Sequence, residues 1–112
     1  MKIETNRLTG VELDWAVAKC EGYVAGPSGS YWINEDECVD FRPSTNWGQG
    51  GPIIEREKIG LEWTGDWFAD IFIEAEGKHL ITHGPTPLIA AMRCYVASKL
   101  GEEVEVHDAL GV

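Results

Sequence analysis

The sequence predicts an α+β domain: a small antiparallel sheet, hairpin or meander, packed with two main helices and crossed by a long ordered loop rich in aromatic residues and glycine. Three observations carry this. Two segments show helical spacing of apolar residues between start and stop signals, and Ile59 to Ile73 alternates apolar with other side chains at a period of two. Between the first helix and that alternation lies Tyr23 to Pro52, rich in Gly, Pro, Ser and Asn but holding Tyr23, Tyr31, Trp32, Phe41 and Trp47, more aromatic surface than a solvated linker carries. At 112 residues the chain reads as a single domain, residues 1–112, able to bury a core without disulfides or metal.

Thr9-Gly10-Val11-Glu12 has the Thr-x-x-Glu form of a capping box, and Leu13, Ala16, Val17 and Cys20 follow at i, i+3, i+4 and i+7. A first helix is predicted from Gly10 to Glu21, stopping at Gly22. Within the next stretch Tyr31-Trp32-Ile33 reads as a brief strand, and the rest as an ordered insertion.

The clearest β signal follows. Ile59, Leu61 and Trp63 alternate with Lys58, Gly60 and Glu62; after Gly65-Asp66, Trp67, Ala69, Ile71 and Ile73 alternate with Phe68, Asp70, Phe72 and Glu74. This predicts a hairpin with a two-residue turn, and Glu76-Gly77 a second turn from which Leu80-Ile81-Thr82 returns. Thr86-Pro87 then opens a helix that Gly101 closes, with Thr86 as N-cap and proline at the first helical position. Between those ends only Arg93, Ser98 and Lys99 are polar, so this helix needs cover on most sides, from the sheet, the insertion or a second subunit. The tail Glu102 to His107 alternates acid with valine and suits an edge strand or a docked extension.

Charge and cysteine content exclude several functions. The net charge is −10 with the acids dispersed, which weighs against direct nucleic-acid binding, because that needs clustered Lys and Arg, and leaves open an acidic mimic of nucleic acid. Cys20, Cys38 and Cys94 are odd in number and lack metal or redox spacing, as expected of a reducing cytoplasm. The start Met1-Lys2-Ile3-Glu4 lacks a leader's apolar region, and no run is long enough to span a membrane.

Three blocks in order, Leu13 to Gly22, Pro43 to Glu55 and Gly84 to Gly101, resemble the NinX-like family of small phage and prophage proteins. The resemblance covers almost the whole chain. It implies a biological setting, a phage gene product in a bacterial cytoplasm, rather than a chemistry.

No catalytic constellation emerges. There is no nucleophile elbow, Walker loop or dinucleotide fingerprint, and Gly48, Gly50 and Gly51 lack the Lys-Ser/Thr of a P-loop. Cys20 and Cys94 sit on apolar helical stripes as buried thiols do, and Cys38 lies among Glu35, Asp36, Glu37 and Asp40, which raise rather than lower a thiol pKa. His79 and His83 have H-x-x-x-H spacing, but on a strand they stand about 13 Å apart. No metal, cofactor or enzymatic activity is expected.

The richest binding chemistry lies from Tyr31 to Ile54. Trp32 and Trp47 offer stacking surfaces, Ser44, Thr45, Asn46 and Gln49 offer hydrogen bonds, Arg42 a charge, and Gly50 close main-chain approach. Thr86 starts a helix whose first amides suit an anion. Arg93 rises from an apolar stripe and needs a carboxylate such as Asp14 or Glu55, main-chain carbonyls, or an anion shared with Arg42 and the amides of Thr86 to Leu88. The leading expectation is a non-catalytic, homo-oligomeric binder of a small nucleotide-like ligand, in its sharper form a sequestering protein for a host immune-signalling nucleotide. The other is an acidic adaptor that binds a host protein, by nucleic-acid mimicry or through the second apolar helix.

Overall fold

The computed structural model describes residues 1–106 and is built around one helix. In chain order the elements are β1 (Lys2–Glu4), a 3-10 turn (Thr5–Arg7), α1 (Gly10–Glu21), β2 (Val24–Ala25), β3 (Ser30–Trp32), β4 (Cys38–Asp40), α2 (Trp47–Glu57), β5 (Gly60–Trp63), β6 (Trp67–Ile73), β7 (Lys78–Gly84), α3 (Pro87–Leu100) and β8 (Glu103–Glu105). The fold is α+β, with three antiparallel sheets of order β1-β8, β2-β3-β4 and β5-β6-β7.

α3 starts where its sequence says it must. The Thr86 Oγ1 accepts from Ile89 N at 3.1 Å, and Pro87 fills the first turn, where a missing N–H costs nothing. Leu88, Ala90, Ala91, Met92, Cys94, Tyr95 and Val96 are all buried within the single chain. β5, β6 and β7 cover one side of α3, and α1, α2 and β8 also pack against it. The apolar girth of α3 therefore needs no second subunit, which removes the sequence argument for an interface there.

The β5-β6-β7 sheet lies flat on α3 because its inward positions are small where the helix presses hardest. Ala69 and Thr82 are buried, Thr82 Oγ1 donates to Ala90 O at 2.8 Å, and at Gly84 an added Cβ would stand 2.6 Å from Ala90 N. Trp63 pairs with Trp67, so the loop Thr64-Gly65-Asp66 holds three residues and not the expected two. Gly65 adopts φ +99°, the left-handed residue that three-residue hairpin loops favour.

The expected long loop is instead structure. Its first half forms β2-β3-β4, with Tyr31 buried and ringed edge-on by Phe41, whose other neighbour is Tyr23. Its second half forms α2, although Gly48, Gly50, Gly51 and Pro52 are the poorest helix formers available, at about 1 kcal/mol per glycine and 3 for proline. Two contacts offset that. The Asn46 Oδ1 caps Gly48 N at 2.8 Å, and Gly50 lies so close to Pro43 O and Leu88 that an added Cβ would meet them at 2.5 and 2.7 Å. Only glycine lets α2 sit this deep.

At α1 the predicted boundaries hold, with Gly22 at φ 81° ending the helix. Thr9 is the N-cap residue, but its side chain makes no capping bond despite the Thr-x-x-Glu pattern. The tail forms β8, paired antiparallel with β1 and anchored by buried Val104 and Val106; His107 of the predicted tail lies outside the described residues.

A polar clamp joins the helices. Glu21 on α1 accepts two bonds from Arg56 on α2, at 3.0 and 2.6 Å, and one from Tyr95 OH on α3 at 2.5 Å, while Glu57 binds Arg56 and Lys99. Burial pushes the Glu21 carboxyl up, and the Arg56 and Tyr95 bonds more than reverse this, leaving it below the usual range. A carboxyl depressed on folding adds stability above its unfolded pKa that is lost as pH falls through the folded one. Glu21→Gln should therefore cost about 1–3 kcal/mol at pH 7, a difference that shrinks as pH falls below about 4.5. Urea midpoints of both proteins at pH 7 and 3 measure it, and a constant gap would refute the clamp.

Arg93 bonds to carbonyls. Its Nε donates to Leu8 O at 2.8 Å and its Nη1 to His83 O at 2.9 Å, so the guanidinium ties the segment before α1 to the end of β7. Neither Asp14 nor Glu55 pairs with it, and burial alone pulls its pKa down. We expect Arg93→Met to destabilise folding by about 2–4 kcal/mol, since two carbonyls lose charge-assisted donors; an unchanged melting temperature would contradict this architectural role.

Candidate functional site

The turn from Arg42 to Asn46 is held from three directions. Thr45 N and Asn46 N donate to Arg42 O at 3.1 and 2.9 Å. Gln49 reaches back from α2, its Oε1 accepting from Arg42 N at 2.6 Å and its Nε2 donating to Asp40 O at 2.7 Å. From α1, the Asp14 Oδ1 accepts from Ser44 N at 2.9 Å. Burial pushes the Asp14 carboxyl up, opposed by the Ser44 amide and side chain and by the charge of Arg42. The Ser44 hydroxyl sits against that carboxylate, although it is buried outside good hydrogen-bond geometry with any partner among the described residues.

An open cleft lies on each side of this turn, and Ser44 and Thr45 line both. The larger, about 380 Å³, is bounded by Gly10 and Val11 at the start of α1, by Asp14, and by Tyr31 and Arg42. Gly10 and Val11 belong to the first turn of α1, and the Thr9 side chain does not cap that turn. The smaller cleft, about 230 Å³, runs between Trp47 and the α3 start, Thr86 to Ile89. There Thr86 takes the Ile89 and Ala90 amides, leaving Leu88 as the first-turn donor without a partner among the described residues.

Of the ten residues singled out in the sequence, Arg42, Ser44, Thr45, Trp47 and Thr86 come together around these two clefts. Trp47 is 53 % exposed, and the Arg42 side chain reaches Asp40 Oδ1 at 2.9 Å while remaining 65 % exposed. Asn46, Gln49 and Gly50 shape the site without offering themselves to it, as cap, tether and close-contact glycine. Trp32 lies in β3 beside Gly26, and Arg93 is committed to Leu8 and His83; neither lines the clefts. Sequence reasoning missed Gly10, Val11 and Asp14, which tertiary folding brings across from α1.

The chemistry of the remaining candidates is quiet. Burial pushes the Cys20 and Cys94 thiols up to about 11, so both stay protonated and unreactive near neutral pH. His79 and His83 bond to Asp70 and Asp66 at 2.9 and 2.8 Å on the outer face of the sheet. Among the described residues no helix is long and apolar enough to cross a membrane.

No curated protein matches the chain. A family model described as Bacteriophage P22, NinX matches residues 4–99, which takes in α1, the Arg42–Asn46 turn and nearly all of α3, and the chain therefore belongs to the phage NinX family.

Proposed function

We propose that this phage accessory protein is a non-catalytic binder of a small nucleotide-like ligand, held across the Arg42–Asn46 turn. The observation that carries the reading is the meeting of an exposed indole, Trp47, with an exposed guanidinium, Arg42, on a rigid turn flanked by the starts of α1 and α3. An indole stacks any base, and helix-start amides with a cation suit a phosphate. The 380 Å³ cleft falls within the usual range of small-molecule sites, and the 230 Å³ cleft is smaller, so a ligand reaching over the shared Ser44–Thr45 rim uses both. In a phage protein this chemistry fits sequestration of a host immune-signalling nucleotide in the bacterial cytoplasm.

Titration calorimetry against mononucleotides and cyclic nucleotides tests this directly. Trp47→Ala should weaken binding by about 1–3 kcal/mol, the worth of one stacked base, with little change in melting temperature because the ring is half in solvent. Trp67→Ala, which removes a ring packed on the core, should instead lower stability by about 2–4 kcal/mol, just under the range for fully buried aromatics. If Trp47→Ala melts as badly as Trp67→Ala, Trp47 is a core residue and the binding reading fails.

Self-association, where it occurs, belongs on the outer face of the β5-β6-β7 sheet. Phe72 and Ile81 are each 52 % exposed there, whereas α3 is covered. Light scattering at high micromolar concentration should show a dimer that Phe72→Glu dissociates; a monomeric mass for the parent protein removes this part of the proposal.

A further inference from the structure

β7 ends its sheet, and among the described residues the edge it turns away from β6 carries no other strand and meets the 3-10 turn Thr5–Arg7 and the Arg93 side chain near its end. Arg93 takes the His83 carbonyl, and by the two-residue alternation of a strand Ile81 and His79 turn their main-chain groups the same way. Folded proteins normally shorten such an edge, cover it, or protect it with proline and charge. This one is seven residues long, has no proline, and carries a lysine only at its first position. Beside it runs an open groove of about 500 Å³, with Leu80 to Thr82 on one wall and Ala97 of α3 among its lining.

The opposite wall is acidic, formed in part by Glu4, Glu102 and Glu103. Glu4 and Glu103 stand directly opposite each other in the β1–β8 register, an arrangement that destabilises a ladder. Arg7 reaches Glu4 at 3.5 Å with both side chains largely in solvent, and no cation among the described residues pairs with Glu102 or Glu103. The groove thus combines the free edge of β7 at His79 and Ile81 with the negative charge of Glu102 and Glu103, which no cation among the described residues pairs.

We propose that this groove docks an extended peptide segment bearing lysine or arginine, added as a strand to β7 with its basic side chains on Glu102 and Glu103. Strand addition supplies affinity through the main chain, and the acidic wall selects the partner. A second copy of this chain is the poorer occupant, because it would bring another Glu4, Glu102 and Glu103 on a molecule of net charge −10. The site is independent of the Arg42–Asn46 turn.

The test uses the full chain and blocked nine-residue peptides alternating valine with lysine, followed by calorimetry and amide hydrogen exchange. Binding should be micromolar and slow the exchange of the His79 and Ile81 amides at least tenfold at saturation. The same peptide with glutamate for lysine should not bind. Glu102→Lys with Glu103→Lys should weaken binding at least tenfold at an unchanged or raised melting temperature, and the corresponding Gln pair should give an intermediate loss. No binding at millimolar peptide, binding without protection of β7, or equal binding of the glutamate peptide overturns the proposal. So does protection that grows with protein concentration alone and persists in Phe72→Glu, which would assign the edge to a second copy.

Discussion

The rest of the structure depends on one constraint: α3 is apolar around nearly its whole circumference and must be enclosed. A helix with one apolar stripe is satisfied by one sheet. Here three strands cover one side and α1, α2 and β8 pack elsewhere, so these elements are placed by their share of one surface, and β2 joins them through α1. Small residues set the distances. Ala69 and Thr82 let the sheet approach, Gly84 lets β7 run into the start of α3, and Gly50 lets α2 descend onto Leu88. A Cβ at Gly50 or Gly84 would meet backbone atoms, which cannot rotate aside as a side chain can.

This explains which parts of the fold were legible in the sequence. The ends of α1 and α3 follow from local chemistry, Gly22 in the left-handed region and Thr86-Pro87 at a helix start, and local chemistry is what a sequence displays. The β5–β6 alternation is legible for the same reason. α2 was not, because its cause is not local: three glycines and a proline argue for a loop until the Pro43 carbonyl and Leu88 are known to lie against Gly50. The signal that was available is Asn46 as a cap, followed seven and eight residues later by Ile53 and Ile54. The hairpin loop gained its third residue because Trp63 and Trp67 pair, their rings meeting at 5.4 Å with planes tilted by 55°, so the register follows the aromatic pair and not the Gly-Asp dipeptide.

The candidate site divides in a similar way. The turn's own residues, Arg42, Ser44, Thr45 and Trp47, were readable because hydroxyls, an indole and a guanidinium in one irregular segment are unusual. What lies across from them was not, since Gly10, Val11 and Asp14 are about thirty residues away in sequence and arrive through the Asp14–Ser44 hydrogen bond. Arg93 shows where the sequence leaves alternatives that the fold decides. A cation on an apolar stripe does need acceptors, but two main-chain carbonyls serve as well as a carboxylate or phosphate, and only the fold shows that Leu8 O and His83 O are in reach. Asp14 repeats the lesson with opposite charge: a buried carboxylate whose partner is an amide.

The whole-chain charge acts oppositely on the two surfaces. A net charge of −10 opposes the approach of an anionic ligand to the Arg42–Asn46 turn. At physiological ionic strength that opposition is screened beyond about 8 Å, so the local donors, Arg42 and the helix-start amides, decide whether an anion is held. The same net charge favours a cation approaching the β7 groove, where Glu102 and Glu103 have no cation partner among the described residues. Long-range attraction acts chiefly on association rate and is weakened by salt. Salt should therefore slow association at the groove and relieve the repulsion at the turn, so the two surfaces are separable by ionic strength without any substitution.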